Sequence, residues 1–515
     1  MSRLTKKSPS LCMDLPLNNA DVCNKLHLIR ELLRSCYGPT ARLKQVHNNI
    51  GGQVVTTSSS SVLLPAISSS QPYINLIKTS ILNHVCRYSD CGLFAAILCL
   101  SLIEQAKQSG LRENVAIRVN KHLLAVCTSY LQQDDCACKV KLGFCSSHNL
   151  ITLARSIISS KPTCVLTDTE MLHISKMAVR AFLLTVPCNV PGTVSLGRIV
   201  TVGVEGHSVL DSEVFPGLLV DVPEDICLNK VDCISNPLHV VLFSASLAGD
   251  LAEVGDGVIE VYQGLDTDSQ ILDLLLELGA KPVATLHTKI PPSAYGKVRD
   301  LNMRQFGSRK MLHLHPVGES VICTMILCHR NETMLNELKV VCQKTEHVLR
   351  LTLREPCALL GGGCTETHLS AYVRHKSKNE ASETASVLGC SQMEFFLGME
   401  VFCRSLESVA RSLEHDGGTS AIDLIHAHHW TFPSDVMKEH LEGFCGCGRV
   451  KSCPSYKWTY LKTEYAEFSP APLFGDASEQ PTVLDSFTAK LGALQVAVET
   501  ANLALDVRYV IQDVN

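Results

Sequence analysis

Cysteine and histidine crowd together at several points in this chain, and thiols and imidazoles at short spacing can ligate a metal or carry nucleophilic chemistry. One group is Cys136, Cys138, Cys145 and His148; a second is Cys445, Cys447 and Cys453, with His426, His428 and His429 upstream. A single intervening residue is short against the usual zinc-pair spacing of about two to four, and no Cys-x-x-Cys pair occurs in the sequence. These residues therefore read as reduced loop thiols with no metal assigned, and a zinc-binding scaffold is the alternative. Cys364 and His368 stand four apart, which on a helix would put a thiol beside an imidazole. Helix packing is the simpler reading of that pair.

Two glycine-rich segments invite other chemistry. Gly192-Thr-Val-Ser-Leu-Gly197-Arg198-Ile199 has the outline of a phosphate loop. Arg198 could bring charge to a phosphate, but Ile199 lacks the hydroxyl that would meet magnesium, so Gly192, Gly197 and Arg198 form only a weak alternative nucleotide site. The triplet Gly361-Gly362-Gly363 gives the backbone φ values that other residues avoid, which suits a hinge.

The elements that must position these residues follow from periodicity. Helices are expected over Asn19–Cys36, Cys91–Lys107, Val115–Tyr130, Met334–Arg354, Glu394–Leu413 and Thr488–Leu505. Between Val200 and Met325 short β-branched runs take over, at Ile199–Val204, Leu218–Val222, His239–Phe243, Val258–Tyr262 and Val321–Leu327, with one helix at Asp268–Leu278. An α/β module thus interrupts two helical regions. Trp430–Thr482 is rich in Cys, Pro, Gly and aromatic residues and shows little period.

Composition limits the classes. With 515 residues, 46% apolar and 19% charged, the chain reads as globular and multi-domain. The balance of 46 basic against 51 acidic residues, net −5, argues against a nucleic-acid partner. The longest apolar run, Cys91–Ile103, has 13 residues where about 20 are needed to span a bilayer, so no membrane insertion is expected. Twenty-four scattered cysteines in apolar surroundings suit a reducing, cytoplasmic compartment.

Several blocks resemble the group II chaperonins, the family of the archaeal thermosome and the eukaryotic cytosolic ring. Glu31–Gln45, ELLRSCYGPTARLKQ, is similar to the helix and first nucleotide loop; Leu359–Glu366, LLGGGCTE, to the glycine hinge; Val409–Asp423 and Thr488–Asp513 to later blocks. The wording SCYGP, SDCGLF, LGGGCTETHL, SLEHDGG and LQVAVETANL is closer still to the divergent chaperonin-like proteins of the Bardet-Biedl group. The resemblance implies a multi-domain α and α/β fold: a helical equatorial domain split over 1–153 and 363–515, an intermediate domain over 154–203 and 321–362, and an α/β apical domain over 204–320. About forty residues of the family's apical sheet are missing at Gly279-Ala280 by this comparison. That shortened domain is expected to be the least ordered.

The resemblance also places a vestigial nucleotide pocket at Gly38, Pro39, Asp90, Gly361, Gly362 and Gly363. Where the family has Lys-Gly after the first Gly-Pro, this chain has Thr40-Ala41; the second loop's Asp-Gly is Ser58-Ser59; the metal loop keeps only Asp90, with Cys91 and Leu93 beside it; and His347 stands at the general-base position. The surviving groups support weak ATP binding at most, and no hydrolysis is expected. The implied role is assembly of the Bardet-Biedl ciliary coat complex, with related chaperonin-like proteins and cytosolic chaperonin ring subunits as partners and the coat subunits as clients. Cytoplasm, centrosome and basal body are the implied locations, with the nucleus as a further compartment. An ATP-driven folding subunit is the rival reading. The altered Trp430–Thr482 segment suggests a monomer or a member of a hetero-complex.

Overall fold

The computed structural model describes residues 11–47, 54–67, 69, 71–187, 196–222, 238–240, 290–317, 322–415, 419–432, 444–449, 468, 470 and 481–512. The chain divides into two units, one built from 1–175 with 340–515 and the other from 176–339. In chain order the first run is β1 (Leu11–Asp14), α1 (Ala20–Arg34), β2 (Lys44–His47), β3 (Val54–Thr57), α2 (Ser60–Ala66), α3 (Pro72–Tyr88), α4 (Gly92–Ser109), α5 (Glu113–Gln132), β4 (Lys139–Lys141), α6 (His148–Ser159) and α7 (Asp168–Leu184). Among the described residues the middle run is strand apart from two single-turn 3-10 segments, Val209–Asp211 and Pro292–Ala294: β5 (Arg198–Glu205), β6 (Glu213–Pro216), β7 (Leu218–Val222), β8 (Leu238–Val240), β9 (Gly296–Phe306), β10 (Arg309–Pro316) and β11 (Ile322–His329). The last run is α8 (Glu332–Thr352), β12 (Cys357–Leu360), α9 (Cys364–Leu388), α10 (Gln392–Arg411), β13 (Thr419–Asp423), β14 (His428–Phe432), β15 (Phe444–Cys445), β16 (Leu484–Ser486), α11 (Phe487–Asp506) and β17 (Tyr509–Gln512).

The first unit has α4 and α11 at its centre. Both are apolar on nearly every side, α4 from Leu93 to Ile103 and α11 through Ala489, Ala493, Leu494, Ala497, Val498, Ala501 and Ala504. A helix without a polar face has to be enclosed, and α1, α3, α5 and α10 supply the cover. The two chain ends meet in an antiparallel pair, β1 with β17, where Cys12 faces Ile511. In the same unit β12 lies between β16 and β4. Among the described residues no helix is long and apolar enough to cross a membrane.

In the second unit β11 is central to a three-stranded sheet, parallel to β5 and antiparallel to β6. Every residue from Ile322 to His329 is buried, as a strand covered on both faces must be. A four-stranded antiparallel sheet follows the order β7-β10-β9-β8. The β9-β10 hairpin escapes a hydrophobic reading because Arg299, Arg304 and Gln305 interrupt its alternation. The expected strand Val258–Tyr262, the helix Asp268–Leu278 and the Gly279-Ala280 junction lie outside the described residues.

Where the structure departs most from periodicity is α9, a 25-residue helix that starts directly after the glycine triplet, where the apolar pattern stops. Its first turns are buried through polar side chains: Thr365, Glu366, Thr367, His368, Ser370 and Arg374. Each is paired. Thr365 Oγ1 donates to Leu360 O at 2.7 Å, Thr367 Oγ1 to Gly363 O at 2.9 Å, and Ser370 Oγ to Glu407 Oε1 at 2.8 Å. His368 meets the Tyr130 hydroxyl at 2.6 Å, and burial pushes its pKa down to about 3, so it sits there neutral.

The start of α10 carries a pH-sensitive cap. Ser391 and Glu394 form a reciprocal capping box, and Arg112 donates to the same carboxylate from Nε at 3.1 Å. The Ser391 backbone N–H first, then Arg112, hold Glu394 down at about 2. A depressed carboxylate contributes stability above its unfolded value of about 4.3 and loses it as pH falls through the folded one. Between pH 4.5 and about 2 the unfolding midpoint of the parent should therefore fall toward that of Glu394→Gln, which keeps the box but not the charge. Thermal unfolding followed by far-ultraviolet circular dichroism at several pH values checks this; a constant gap across the window contradicts it.

Candidate functional site

The first unit holds a cavity of about 340 Å³ assembled from distant parts of the chain. Gly38 and Pro39 come from the α1–β2 connection, Asp90 and Cys91 from the α3–α4 turn, Lys344 from α8, Gly362 and Gly363 from the triplet, His429 and Thr431 from β14, Asp485 from β16 and Lys490 from α11. The volume is at the small end of the range for ligand pockets, about 300–1,000 Å³. Of the residues expected here from sequence, Gly38, Pro39, Asp90, Gly362 and Gly363 do line one cavity.

Local conformation explains two of these positions. The α3–α4 turn passes through left-handed backbone at Ser89 (φ 58°) and Cys91 (φ 59°), which turns the chain back sharply around Asp90. Gly362 (φ 63°) has its backbone against Gly446, and a Cβ there would overlap the Gly446 carbonyl. The triplet is thus committed to close packing in this structure.

Electrostatically the cavity is dominated by a buried lysine. Lys490 Nζ contacts Glu366 Oε1 and reaches Asp485 Oδ2 at 2.9 Å, and it lies 4.2 Å from the centroid of the Phe94 ring. Burial opposes its charge, but Asp485 and Glu366 outweigh burial and hold its pKa well above the usual lysine value. Asp485 is pushed up by burial, with Lys490 only partly offsetting. Sequence reasoning passed over Glu366, Asp485 and Lys490 because a single charge in an apolar helix carries no period.

At the remaining expected positions the groups differ in kind. Ser58 and Ser59 are fully buried, the Ser59 hydroxyl accepts from Lys344 Nζ, and the Ser58 hydroxyl has no partner. In the first turn of α4 the side chains are Leu93 and Phe94, both buried. His347 is not brought to the cavity: its Nε2 lies 3.1 Å from the Arg87 carbonyl, while Lys344, nearly one turn earlier on α8, lines the wall. A magnesium nucleotide needs clustered carboxylates and hydroxyls for the metal and the phosphates. Of the carboxylates lining this cavity, Asp90, Glu414 and Asp485, the last is paired with Lys490, and the second-loop positions carry Ser58 and Ser59 in place of Asp-Gly.

The weak phosphate-loop alternative is corrected. Arg198 opens strand β5, and the Gly197 N–H donates to the Thr185 carbonyl at 2.9 Å, so the segment leads into a strand where a phosphate loop leads into a helix. Gly192 lies outside the described residues. The Cys364 and His368 pair is also separated: the thiol turns toward Cys445 and the imidazole toward Tyr130.

The reading of Cys445 and Cys447 as isolated loop thiols does not describe their surroundings. Both are buried, together with Cys364 and His428, and the four ligand atoms all lie within 4.8 Å of one another. Cys445 Sγ stands 3.3 Å from Cys447 Sγ, 3.7 Å from Cys364 Sγ and 3.3 Å from His428 Nδ1. The sequence groups Cys445 and Cys447 with His428 but not with Cys364, which is 81 residues away from Cys445. Cys136 and Cys138 form a smaller buried pair, 3.4 Å apart, and Cys453 lies outside the described residues.

Comparison with known proteins points to a chaperonin fold. The chain is 41% identical over 572 residues to the molecular chaperone MKKS of Homo sapiens, covering 100% of both chains. It is 40% identical over 573 residues to the Mus musculus protein of the same name, with equal coverage. The matched span exceeds the 515 residues present here, so those relatives have segments without a counterpart in this chain. Thermosome subunit alpha of Aeropyrum pernix is 21% identical over 451 residues, 77% of this chain and 78% of the other. The sequence profile of the TCP-1/cpn60 chaperonin family matches residues 29–263 and 265–515, nearly the whole length. The chain therefore belongs to the TCP-1/cpn60 chaperonin family, as a divergent, chaperonin-like protein of the group II type.

Proposed function

We propose that the chain is a chaperonin-like assembly factor that helps form the Bardet-Biedl ciliary coat complex and does so without hydrolysing ATP. The observation that carries the second half is the composition of the cavity. Asp90 faces it without the second-loop carboxylate, Ser58 and Ser59 stand in that place with Lys344, and leucine and phenylalanine occupy the first turn of α4. Losing one transition-state donor or ligand costs on the order of 2.7–4 kcal/mol, and several are altered together. The first half is supported by the full-length likeness to a molecular chaperone and by the sequence blocks shared with the Bardet-Biedl group.

Chaperonin-family membership brings interactions with clients or partner subunits in general. On the proposed reading the partners are related Bardet-Biedl chaperonin-like proteins and cytosolic chaperonin ring subunits, and the place is the cytoplasm, centrosome and basal body. Purified protein with magnesium and ATP should release phosphate at the background rate. Turnover that disappears in Asp90→Ala would overturn the non-hydrolytic reading. Affinity purification from ciliated cells should recover coat-complex subunits together with ring subunits. Recovery of ring subunits with no coat subunit would overturn the assembly reading.

A further inference from the structure

We propose that Cys364, His428, Cys445 and Cys447 bind one structural zinc ion. The donor set is three thiols and one imidazole, the Cys₃His combination of closed, four-coordinate zinc sites. With zinc–sulfur bonds of about 2.3 Å, the edges of a tetrahedron are about 3.8 Å. The distances here are of that size: 3.3 Å between the Cys445 and Cys447 sulfurs, 3.7 Å between those of Cys364 and Cys445, and 3.3 and 3.7 Å from His428 Nδ1 to Cys445 and Cys447. Soft thiolate with imidazole in this geometry selects zinc over the hard cations, which take oxygen ligands.

The ligands come from defined elements. Cys364 is the first residue of α9, fixed by the triplet before it; His428 opens β14; Cys445 pairs with Trp430 across the β14–β15 ladder, and Cys447 follows in the turn. All four are at most 6% exposed, so no side is left open for substrate, and a structural role follows. The ion would tie the β14–β15 ladder and the turn after β15 to the head of α9, at the place where Gly362 and Gly446 touch. Gly362, Gly363, His429 and Gly446 also line the cavity, so the ion would hold one of its walls. On binding, each of three Cys S–H groups loses its proton to solvent as a Zn–S bond forms, and the imidazole binds neutral through Nδ1. No redox change is involved. The inference is independent of the proposed assembly role.

The test uses the full chain, made without a histidine tag in zinc-supplemented medium and kept reduced. Elemental analysis should find about one zinc per chain, falling to about a tenth or less in Cys447→Ser and Cys364→Ser and staying near one in Cys136→Ser. Because the serine variants risk misfolding, the parent is also exchanged with cobalt. Thiolate-to-cobalt charge-transfer bands with the intense visible bands of a tetrahedral ion are expected. Octahedral cobalt spectra, zinc content indifferent to Cys364→Ser and Cys447→Ser, or a Cys445–Cys447 disulfide in freshly prepared metal-free protein would each overturn the assignment.

Discussion

Replacing Arg374 with alanine should destabilise the helical unit by about 3–5 kcal/mol, the scale on which removal of one partner breaks a buried ion pair. Arg374 projects from α9 between two carboxylates of α10. Its Nε and Nη2 meet the two oxygens of Glu400 at 3.1 and 3.0 Å, and its Nη1 contacts Glu407 and Ser370. Its side chain is only 5% exposed, against 26% and 14% for Glu400 and Glu407. Truncation leaves Glu407 without its guanidinium and Glu400, half-buried, with only the contact to Arg404 at 3.6 Å, and it is the charge left on these two acids that sets the magnitude. Chemical denaturation followed by helical circular dichroism measures the loss. The triple variant Arg374→Met with Glu400→Gln and Glu407→Gln should recover much of it, since replacing a whole buried ion group by neutral side chains is often nearly neutral. A loss under about 1 kcal/mol, the scale of an exposed pair, would show that the three side chains are solvated.

A comparable loss, again about 3–5 kcal/mol near neutral pH, is expected for Lys490→Met. Methionine keeps the contact with the Phe94 ring but leaves Glu366 and Asp485 without the cation they share. Without the ammonium, nothing from Lys490 offsets the burial that already raises Asp485, so its carboxyl is driven further above the ordinary value. A carboxyl whose folded pKa is raised favours the folded state only while protonated, so the deficit should be small near pH 4 and grow as pH rises toward 7. Lys490→Met should also respond to a second change. Adding Glu366→Gln should return part of the stability at pH 7, because Glu366, at 1% side-chain exposure, is the more deeply buried of the two acids. A deficit that does not change with pH would place the effect in packing.

The limits of the sequence follow the same physics. The helices over Ala20–Arg34, Gly92–Ser109, Glu113–Gln132, Glu332–Thr352, Gln392–Arg411 and Phe487–Asp506 were legible because each carries its apolar residues at helical spacing or is apolar throughout. Strand Leu218–Val222 agrees to the residue with its β-branched run, and β11 is readable as a continuous apolar stretch. Helix α9 was not legible. Its buried face is made of Thr365, Glu366, Thr367, His368, Ser370 and Arg374, residues that enter a core only when partners from elsewhere satisfy them.

What the sequence determined alone is local and cumulative: the periodic helices, the strand-rich interior of the chain, and the short blocks that mark the chaperonin family. Those signals need only neighbours within a few residues. The tertiary structure decided which groups meet. It placed Gly38, Asp90, Gly362, Asp485 and Lys490 around one cavity, left His347 on the Arg87 carbonyl, and turned the P-loop-like Gly197-Arg198 step into the start of a strand. It also brought Cys364 across 81 residues to Cys445, beside Cys447 and His428, a neighbour the linear order does not show. The reason is that a side chain's charge, burial and coordination depend on partners supplied by other elements, and periodicity carries no information about which elements those will be.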